Sequence, residues 1–504
     1  MSTARYGGPD EPGHILRAAS VARGQLIGAF VPGLAPGYRA VTVPAALATG
    51  DPACFRHAGA QPATCAHAAP GATGLRTVAS AEGSPPPLYY AIVGLAVRAI
   101  GDPSSVLWYR LVAAGLAALA LATALIRAAR LGRGSAALIV VAALSPAAWF
   151  LLGVVNPNSL EIALALVSWV GLERVRHAVG AGCRASIGDL AWMSMPVSLA
   201  VAMRPISAME VVAMAGAGVL MWRSLGVQRT GRGFRRAAIM VVPPAVATAS
   251  VLWWNRWADV IIRDPGAVRA SMSRVLTYDL GHLPRTAREI SGSLGWLEFS
   301  APTLAQIMWW LLVLAAGVIA WRAGGFVRAG WLIVATVALV LPVAFDLWFV
   351  RSIGFIWQGR YSLPTAVGLV LVGIGGYRVA EWSPVLVARL TRVVFALAAL
   401  AEVSTLWATL RRYAVGTNGS WWFTGAVWHP QLPPFVLIAV NAALMLAIGV
   451  CAATLDGSVP DEWGRDGSVL SGRDLAAHNV EGAASTEPLD LLGAERVDTF
   501  EVDG

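Results

Sequence analysis

Two adjacent carboxylates near the amino terminus are the side chains best suited to chemistry. Asp10 and Glu11 lie in the segment Pro-Asp-Glu-Pro-Gly-His, which ends at His14, and Arg17 follows three residues later. A carboxylate in such a segment could act as a general base or bind a metal ion. Because a helical pattern starts after Pro12, the same acids could instead stabilise the amino terminus of a helix. The pattern is compatible with both interpretations.

Aromatic and polar side chains further along the chain could bind a substrate. Tyr89 and Tyr90 follow three consecutive prolines, which favour an extended backbone. Arg360, within the segment Gln-Gly-Arg-Tyr, could form two hydrogen bonds to a phosphate. Alternatively, its long side chain simply reaches the membrane interface beside an aromatic anchor. The other candidate substrate-binding residues are His14, Arg17, Asn156, Arg204, Glu298, Gln358 and Tyr361.

The composition indicates that a membrane protein carries these residues. Of the 504 residues, 57% are hydrophobic and 13% are charged, whereas about one-quarter of the residues of soluble proteins are charged. We expect an all-α polytopic fold with about eleven membrane spans, because apolar runs of about 20 residues recur along the chain. The predicted spans lie at 105–126, 136–155, 158–173, 189–204, 207–222, 237–254, 304–321, 329–349, 363–379, 391–408 and 435–454.

Arginine-rich loops set the expected orientation in the cell membrane. The most basic loops, at 127–133, 173–184, 222–236 and 321–328, fall on one side when the spans alternate. By the positive-inside rule that side is the cytoplasm. The candidate residues then lie at the outer face. The shorter apolar stretch 88–100 contains an arginine and is predicted to be an interfacial or re-entrant helix.

This orientation divides the chain into three regions. We expect an external region at 1–104 with interfacial helices, a transmembrane domain at 105–454, and an acidic cytoplasmic tail at 455–504. The residues after Leu455 include 12 acids and 3 arginines, so the tail is predicted to be disordered. A net charge of +9 could suggest a nucleic-acid partner. Because short basic loops between spans account for the charge through topology, no nucleic-acid partner is expected.

The external region has two further features. Cys54 and Cys65 lie about a dozen residues apart, so a disulfide is predicted in an oxidising space, with two unpaired thiols as the alternative. Neither a signal peptide nor an apolar span precedes this region. We therefore expect either an unusual mode of insertion or a first helix encoded upstream of Met1.

Four motifs in order resemble a family of bacterial membrane proteins called domain of unknown function 2142. They are Pro9–His14, Asn156–Asn158, Gly295–Glu298 and Gln358–Tyr361, and the resemblance extends from Gly8 to about Val450. The order of Asp-Glu, an arginine, Pro-Pro-Leu-Tyr-Tyr and Arg-Leu also resembles the first external loop of the GT-C glycosyltransferases. Within that superfamily it is similar to the protein mannosyltransferases and the lipid A aminoarabinose transferases.

The chain departs from these enzymes at two places. The GT-C proteins have a transmembrane helix directly before the acidic loop, whereas this sequence begins only a few residues before it. The aminoarabinose transferases have a lysine just before their Pro-Pro-Leu-Tyr-Tyr, where Ser84 and Pro85 stand here. The first departure concerns the start of the chain, and the second concerns the identity of the substrate.

The resemblance implies an enzyme that takes a sugar from a polyprenyl-phosphate carrier at the outer face. Asp10, or secondly Glu11, would deprotonate or orient the acceptor, which would be an envelope glycan, lipid or protein. Positive charge for the leaving phosphate must come from arginine or a divalent cation, since the sequence contains no lysine. Asp346 and Glu402, within predicted spans, suggest a transporter or flippase of lipid-linked precursors instead. A non-catalytic envelope protein is the third interpretation.

Overall fold

Helices account for most of the chain, as the apolar composition predicts. The computed structural model describes residues 2–33, 37–67, 71–131, 134–180, 183–222, 231–260, 271–375 and 383–458. Residues 1–458 form one unit, and nearly all of the predicted acidic tail lies outside the described residues. The helices are α1 Glu11–Val21, α2 Leu88–Ile100, α3 Val106–Ala129, α4 Gly134–Ala142, α5 Pro146–Leu152, α6 Pro157–Gly180, α7 Ile187–Met203, α8 Ala208–Trp222, α9 Gly231–Trp257, α10 Met272–Gly292, α11 Thr303–Ala323, α12 Gly325–Ile353, α13 Leu363–Gly375, α14 Pro384–Val415 and α15 Pro434–Ser458.

Six helices in the described part of the chain are long and apolar enough to cross a membrane, namely α3, α9, α11, α12, α14 and α15. Each coincides with one of the predicted spans. They confirm a helical membrane protein with several apolar spans. The structure does not confirm the predicted count of about eleven, because the remaining segments are bent, short or charged.

The predicted span 136–155 is bent near its middle and is not one continuous helix. Two short helices, α4 and α5, occupy this stretch and meet at an angle of 87°. Pro146 begins α5 and has no backbone N–H to donate. The Ser145 side chain accepts a hydrogen bond from the Ala148 backbone N–H, which starts a new helix. The two helices together count as at most one further span.

Four other predicted spans are shorter or more polar than a simple crossing requires. Helices α7, α8 and α13 have 17, 15 and 13 residues, below the roughly 20 needed for a straight span. Helix α6 has 24 residues but carries several charged side chains and is buried on nearly all sides. It packs against α3, α7 and α13 and therefore lies inside the bundle.

The region before α3 contains strands that the all-α prediction omits. Strand β1, Arg39–Pro44, pairs in antiparallel fashion with β2, Leu75–Ser80. Outside this region, between α10 and α11, a second antiparallel pair joins β3, Ser293–Leu294, to β4, Phe299–Ser300. Helix α2 occupies the predicted stretch 88–100 and packs against α1 and α3. The fold is thus mostly helical, with two small hairpins beside the bundle.

In the structure, Cys54 and Cys65 form a disulfide with a Cα–Cα distance of 6.0 Å. The cross-linked segment is fastened to the end of α14 by Arg412. The Arg412 guanidinium donates hydrogen bonds to the carbonyl oxygens of Phe55 and Gln61. The region before α3 is therefore tied to a long helix of the bundle as well as to itself.

We expect that replacing Cys54 and Cys65 together with serine lowers the free energy of unfolding by about 2–4 kcal/mol, because the cross-link restricts the unfolded chain. Denaturant unfolding in detergent micelles measures this change, and Cys451→Ser, at an exposed position of α15, is the control. Thiol labelling of denatured, unreduced protein should modify two of the four cysteines. Labelling of all four before reduction would show that the disulfide is absent.

Candidate functional site

Asp10 is presented by an unusual backbone turn directly before α1. Its φ is 57°, in the left-handed region that residues other than glycine rarely adopt. The Asp10 side chain forms no capping hydrogen bond with the helix backbone, so it does not cap α1 in this way. The side chain is 39% exposed. Its carboxylate is therefore available to a ligand.

Glu11, the next residue, is fully buried and saturated with hydrogen bonds. Its Oε1 accepts from Arg110 Nε at 2.8 Å and from the Val155 backbone N–H at 3.1 Å. Its Oε2 accepts from Arg110 Nη2 at 2.6 Å and from the Gly8 backbone N–H at 3.1 Å. Burial would raise the pKa of Glu11, but the Arg110 guanidinium and these hydrogen bonds lower it below its usual value. Glu11 therefore holds the loop in place as a charged, inaccessible group.

Asn156 fixes the same loop from the opposite side. Its Nδ2 donates to the Pro9 carbonyl oxygen at 2.9 Å. Its Oδ1 accepts from the Asn158 backbone N–H at 3.0 Å, at the start of α6. Because both polar atoms of this buried side chain are used by the protein, Asn156 supports the loop from behind. The structure does not place it in an open cleft.

Arg360 lies opposite Asp10. Its Nη2 donates to Asp10 Oδ2 at 2.5 Å and to the Tyr361 hydroxyl at 3.3 Å. The Arg360 side chain is buried, and its Nε and Nη1 have no hydrogen-bond partner within the described residues. Buried polar groups are normally hydrogen-bonded. The two unused donors therefore indicate a place where an anionic ligand would bind.

The electrostatic environment keeps Asp10 ionised. Burial would raise the pKa of Asp10, but the charge of the Arg360 guanidinium lowers it below its usual value. Arg204 acts in the same direction. Asp10 is consequently a carboxylate at neutral pH, able to accept a hydrogen bond from a ligand hydroxyl.

The turn that carries Arg360 packs closely on α10. The Gly359 backbone N–H donates to Glu289 Oε2 at 2.7 Å. A Cβ atom at Gly359 would lie 2.5 Å from Glu289 Cβ, so a larger residue would push the turn away. Gln358 directly precedes this turn. The glycine between Gln358 and Arg360 therefore sets the position of the guanidinium.

Arg204 adds a second positive charge beside Tyr361. The Arg204 guanidinium carbon lies 4.6 Å from the centre of the Tyr361 ring, and that of Arg360 lies 5.2 Å from it. Arg204 Nη1 is 3.2 Å from Glu161 Oε2. The Ser207 hydroxyl donates to the other oxygen of Glu161 at 2.6 Å. Glu161 thus positions Arg204 from inside the bundle.

His14 lies one helical turn after Asp10 and extends the cluster. His14 Nδ1 is 3.0 Å from the Tyr90 hydroxyl and 3.9 Å from a carboxyl oxygen of Glu82. Burial lowers the pKa of His14 to about 3, so the ring is neutral. The Tyr89 ring packs edge-on against Tyr90, with 5.3 Å between the ring centres. Sequence reasoning missed Glu82, since a single glutamate before the prolines gives no local signal.

Two predicted binding residues serve other parts of the structure. The Arg17 guanidinium donates to the carbonyl oxygens of Leu26 and Pro85, at 2.5 and 2.8 Å, and so braces the proline segment. Glu298 lies 3.4 Å from Arg412 Nη2, beside the disulfide segment. Burial raises the pKa of Glu298 to about 7. The residues that the structure gathers around Asp10 are His14, Glu82, Tyr90, Arg204, Arg360 and Tyr361.

The residues around Asp10 do not supply a set of metal ligands. Within the described residues, no group of three or more His, Cys, Asp or Glu side chains could hold a metal ion. Asp10 is already paired with the Arg360 guanidinium, whose charge opposes a cation.

Fold and site together define a multi-pass helical membrane protein with a cluster of charged side chains before α1. The family model described as "Predicted membrane protein (DUF2142)" matches residues 1–369. The chain belongs to this family, which confirms the resemblance to domain of unknown function 2142. No match was found among curated proteins or among solved structures.

Glu11→Gln should lower the free energy of unfolding by about 3–5 kcal/mol, because it breaks a buried ion pair and leaves Arg110 buried without its counter-charge. Arg274→Gln, which removes a charge from an exposed position of α10, should cost much less and is the comparison. Denaturant unfolding of the two variants measures the difference. Equal losses of stability would show that Glu11 does not hold the loop.

The Glu11 contribution also has a predicted pH dependence. Folding lowers the pKa of Glu11 from its usual 4.5, so its stabilisation is complete at neutral pH and is lost as the pH falls below about 4.5. The difference in stability between the wild-type protein and Glu11→Gln should therefore shrink in acid. A constant difference down to low pH would contradict this assignment.

Proposed function

We propose that this protein is a glycosyltransferase of the cell membrane, which transfers a sugar from a polyprenyl-phosphate carrier to an envelope acceptor at the outer face. The observation that carries the proposal is the pairing of Asp10 with Arg360. An ionised carboxylate there lies beside a guanidinium that has two buried donors without a partner in the described structure. The proposed orientation also places the acidic tail in the cytoplasm.

The two arginines suit the phosphate of such a carrier. When the bond between the sugar and the phosphate breaks, negative charge develops on the phosphate oxygens. Arg360 has Nε and Nη1 unused within the described residues, and each can donate a separate charge-assisted hydrogen bond to a phosphate oxygen. Arg204, whose guanidinium carbon lies 4.6 Å from the centre of the Tyr361 ring, contributes a second charge. Fixed positive charges of this kind stabilise the transition state more than the ground state.

Asp10 suits the acceptor. Its carboxylate accepts one hydrogen bond from Arg360 and is otherwise partly exposed. It can therefore orient an acceptor hydroxyl, or receive its proton, next to the phosphate site. A backbone strained at φ 57° is also typical of functional positions.

An apolar cavity beside the cluster supports a lipid-linked donor. A cavity of about 540 Å³ is lined by Pro86, Leu88, Ala202, Trp253 and Trp254, among others. The Trp254 indole N–H donates to the Ser84 carbonyl oxygen at 2.9 Å, which joins α9 to the proline segment. Ala202 precedes Arg204 by two residues, so the cavity approaches the charged cluster. An isoprenoid chain could occupy it while its phosphate reaches the arginines.

The test is transfer of labelled sugar by the full chain in nanodiscs from a panel of polyprenyl-phosphate hexoses into an envelope extract. Asp10→Asn and Arg360→Gln should each reduce transfer about 100-fold or more. Binding of unlabelled polyprenyl phosphate should weaken in Arg360→Gln and persist in Asp10→Asn. Arg274→Gln, which removes an arginine from an exposed position of α10, is the matched control. Normal transfer by both site variants would refute the proposal.

A transporter or flippase of lipid-linked precursors is the second candidate. It is favoured by Asp346, which is buried within α12 and has one carboxyl oxygen without a partner in the described residues. An ionisable group inside a span is costly and usually functional. Loss of lipid movement in Asp346→Asn, with no sugar transfer by the wild-type protein, would favour this candidate.

A further inference from the structure

Three carboxyl groups gather at the start of α1, and the protein holds them very differently. Both oxygens of Glu11 are used by Arg110 and backbone N–H groups. One oxygen of Asp10 is paired with Arg360. The Glu82 carboxyl accepts no hydrogen bond within the described residues, and its nearest ion-pairing group is His14 at 3.9 Å. Glu82 is thus the least committed acid of the three.

The position of Glu82 depends on a close approach to α1. A Cβ atom at Gly13 would lie 2.7 Å from Glu82 Cγ, so glycine at this position admits the side chain against the first turn of α1. Ser80, the last residue of β2, accepts a hydrogen bond from the Glu82 backbone N–H at 3.2 Å. The Glu82 side chain retains 24% exposure. It is therefore held against the helix turn that carries Asp10 and His14 and is still accessible.

The titratable and charged groups that face Glu82 come from several elements. They are Asp10, His14 and Arg17 around α1, Tyr90 of α2, and the two arginines Arg204 and Arg360. Burial raises the pKa of Glu82 to about 7, and the negative charge of Asp10 adds to this effect against the opposing arginines. Asp10 is shifted the opposite way by Arg360. A general base is most effective when its pKa lies near the working pH, and neighbouring carboxyls shifted apart commonly divide the acid and base roles.

We propose that Glu82 takes the proton of the acceptor hydroxyl, whereas Asp10 orients that hydroxyl and Arg360 binds the leaving phosphate. This role rests on the proposed transfer of sugar from a polyprenyl phosphate. The acceptor oxygen forms a bond to the anomeric carbon as the bond from that carbon to the phosphate oxygen breaks. The bonding pair leaves with the phosphate, and the hydroxyl proton passes to the Glu82 carboxylate. His14, neutral and in contact with the Tyr90 hydroxyl, is a positioning residue for Glu82.

The first arm of the test needs no substrate. Infrared difference spectra of the full chain in nanodiscs, recorded against pH, report protonated carboxyl groups. Glu82→Gln should lose one carboxyl signal that ionises near pH 7. Glu298→Gln is the matched comparison, since the Glu298 carboxyl titrates in the same range but lies beside Arg412. This variant should lose the signal of Glu298 and retain the signal that is absent in Glu82→Gln. An unchanged spectrum in Glu82→Gln would overturn the assignment, whatever the protein transfers.

The second arm measures sugar transfer from the same polyprenyl-phosphate panel between pH 5 and 9, about two units either side of neutral. The wild-type rate should rise about tenfold per pH unit up to about pH 7 and then level off, as one group ionises. Glu82→Gln should transfer about 100-fold more slowly or worse and lose this dependence, and Glu82→Asp should recover part of the rate. A wild-type rate and pH profile in Glu82→Gln would overturn the proposal.

Gly13→Ala tests the geometry without removing a charge. The added methyl group should displace Glu82 and change both the infrared signal and the pH profile. Gly115→Ala, where no atom lies within 4 Å of the added Cβ, should change neither. Absence of transfer by the wild-type protein would refute the proposed function and, with it, the role of Glu82 in transfer. The infrared arm would still report separately whether Glu82 holds a proton near neutral pH.

Discussion

The geometry of the site depends on the buried ion pair between Glu11 and Arg110. Arg110 lies in the first turn of α3, a membrane span, and also donates hydrogen bonds to the carbonyl oxygens of Thr3 and Ala4 at 2.8 and 2.7 Å. Glu11 in turn accepts from the loop before α6 through Val155. One pair of charges therefore fastens the amino-terminal segment to two helices of the bundle. A strained residue costs about 1–3 kcal/mol and persists only where its surroundings fix it, which is the situation of Asp10.

Adjacent residues thereby acquire opposite roles. Successive side chains at a helix start point in different directions, so the chain that buries Glu11 exposes Asp10. Residues four apart share a helix face, which places His14 on the side of Asp10. Burial without a partner raises the proton affinity of an acid, and a neighbouring guanidinium lowers it. The chemical character of Asp10 and Glu82 thus follows from the arginines around each, and residue type alone does not determine it.

Local patterns in the sequence were sufficient for some parts of this arrangement. Apolar length identified the six long helices and the bounds of α2. It did not reveal the bend within 136–155, where Ser145-Pro146 interrupts the helix although the run of apolar residues continues. The pattern also left Asn156 free to face a cleft, whereas the fold uses both of its polar atoms. Glu82 escaped notice because His14 and Arg360, two of the groups that face it, lie 68 and 278 residues away in the chain. Contacts of that kind arise from the folding of the β1–β2 hairpin and the bundle together.

The two proposed functions draw on polar atoms in different parts of the structure. Within the described residues, the deep acid Glu402 accepts a hydrogen bond from Asn441 of α15 at 3.1 Å, and Asp346 of α12 contacts Asp279 of α10. These two acids lie in separate parts of the bundle with different partners. A transport path needs polar groups that follow one another across the membrane. Among the same described residues, the cluster at Asp10 combines a partly exposed carboxylate, two guanidinium donors without a partner and an acid that accepts no hydrogen bond, all beside one helix start. Converging groups of both charges are the arrangement that a group-transfer reaction requires, because nucleophile and leaving group must be handled at the same place.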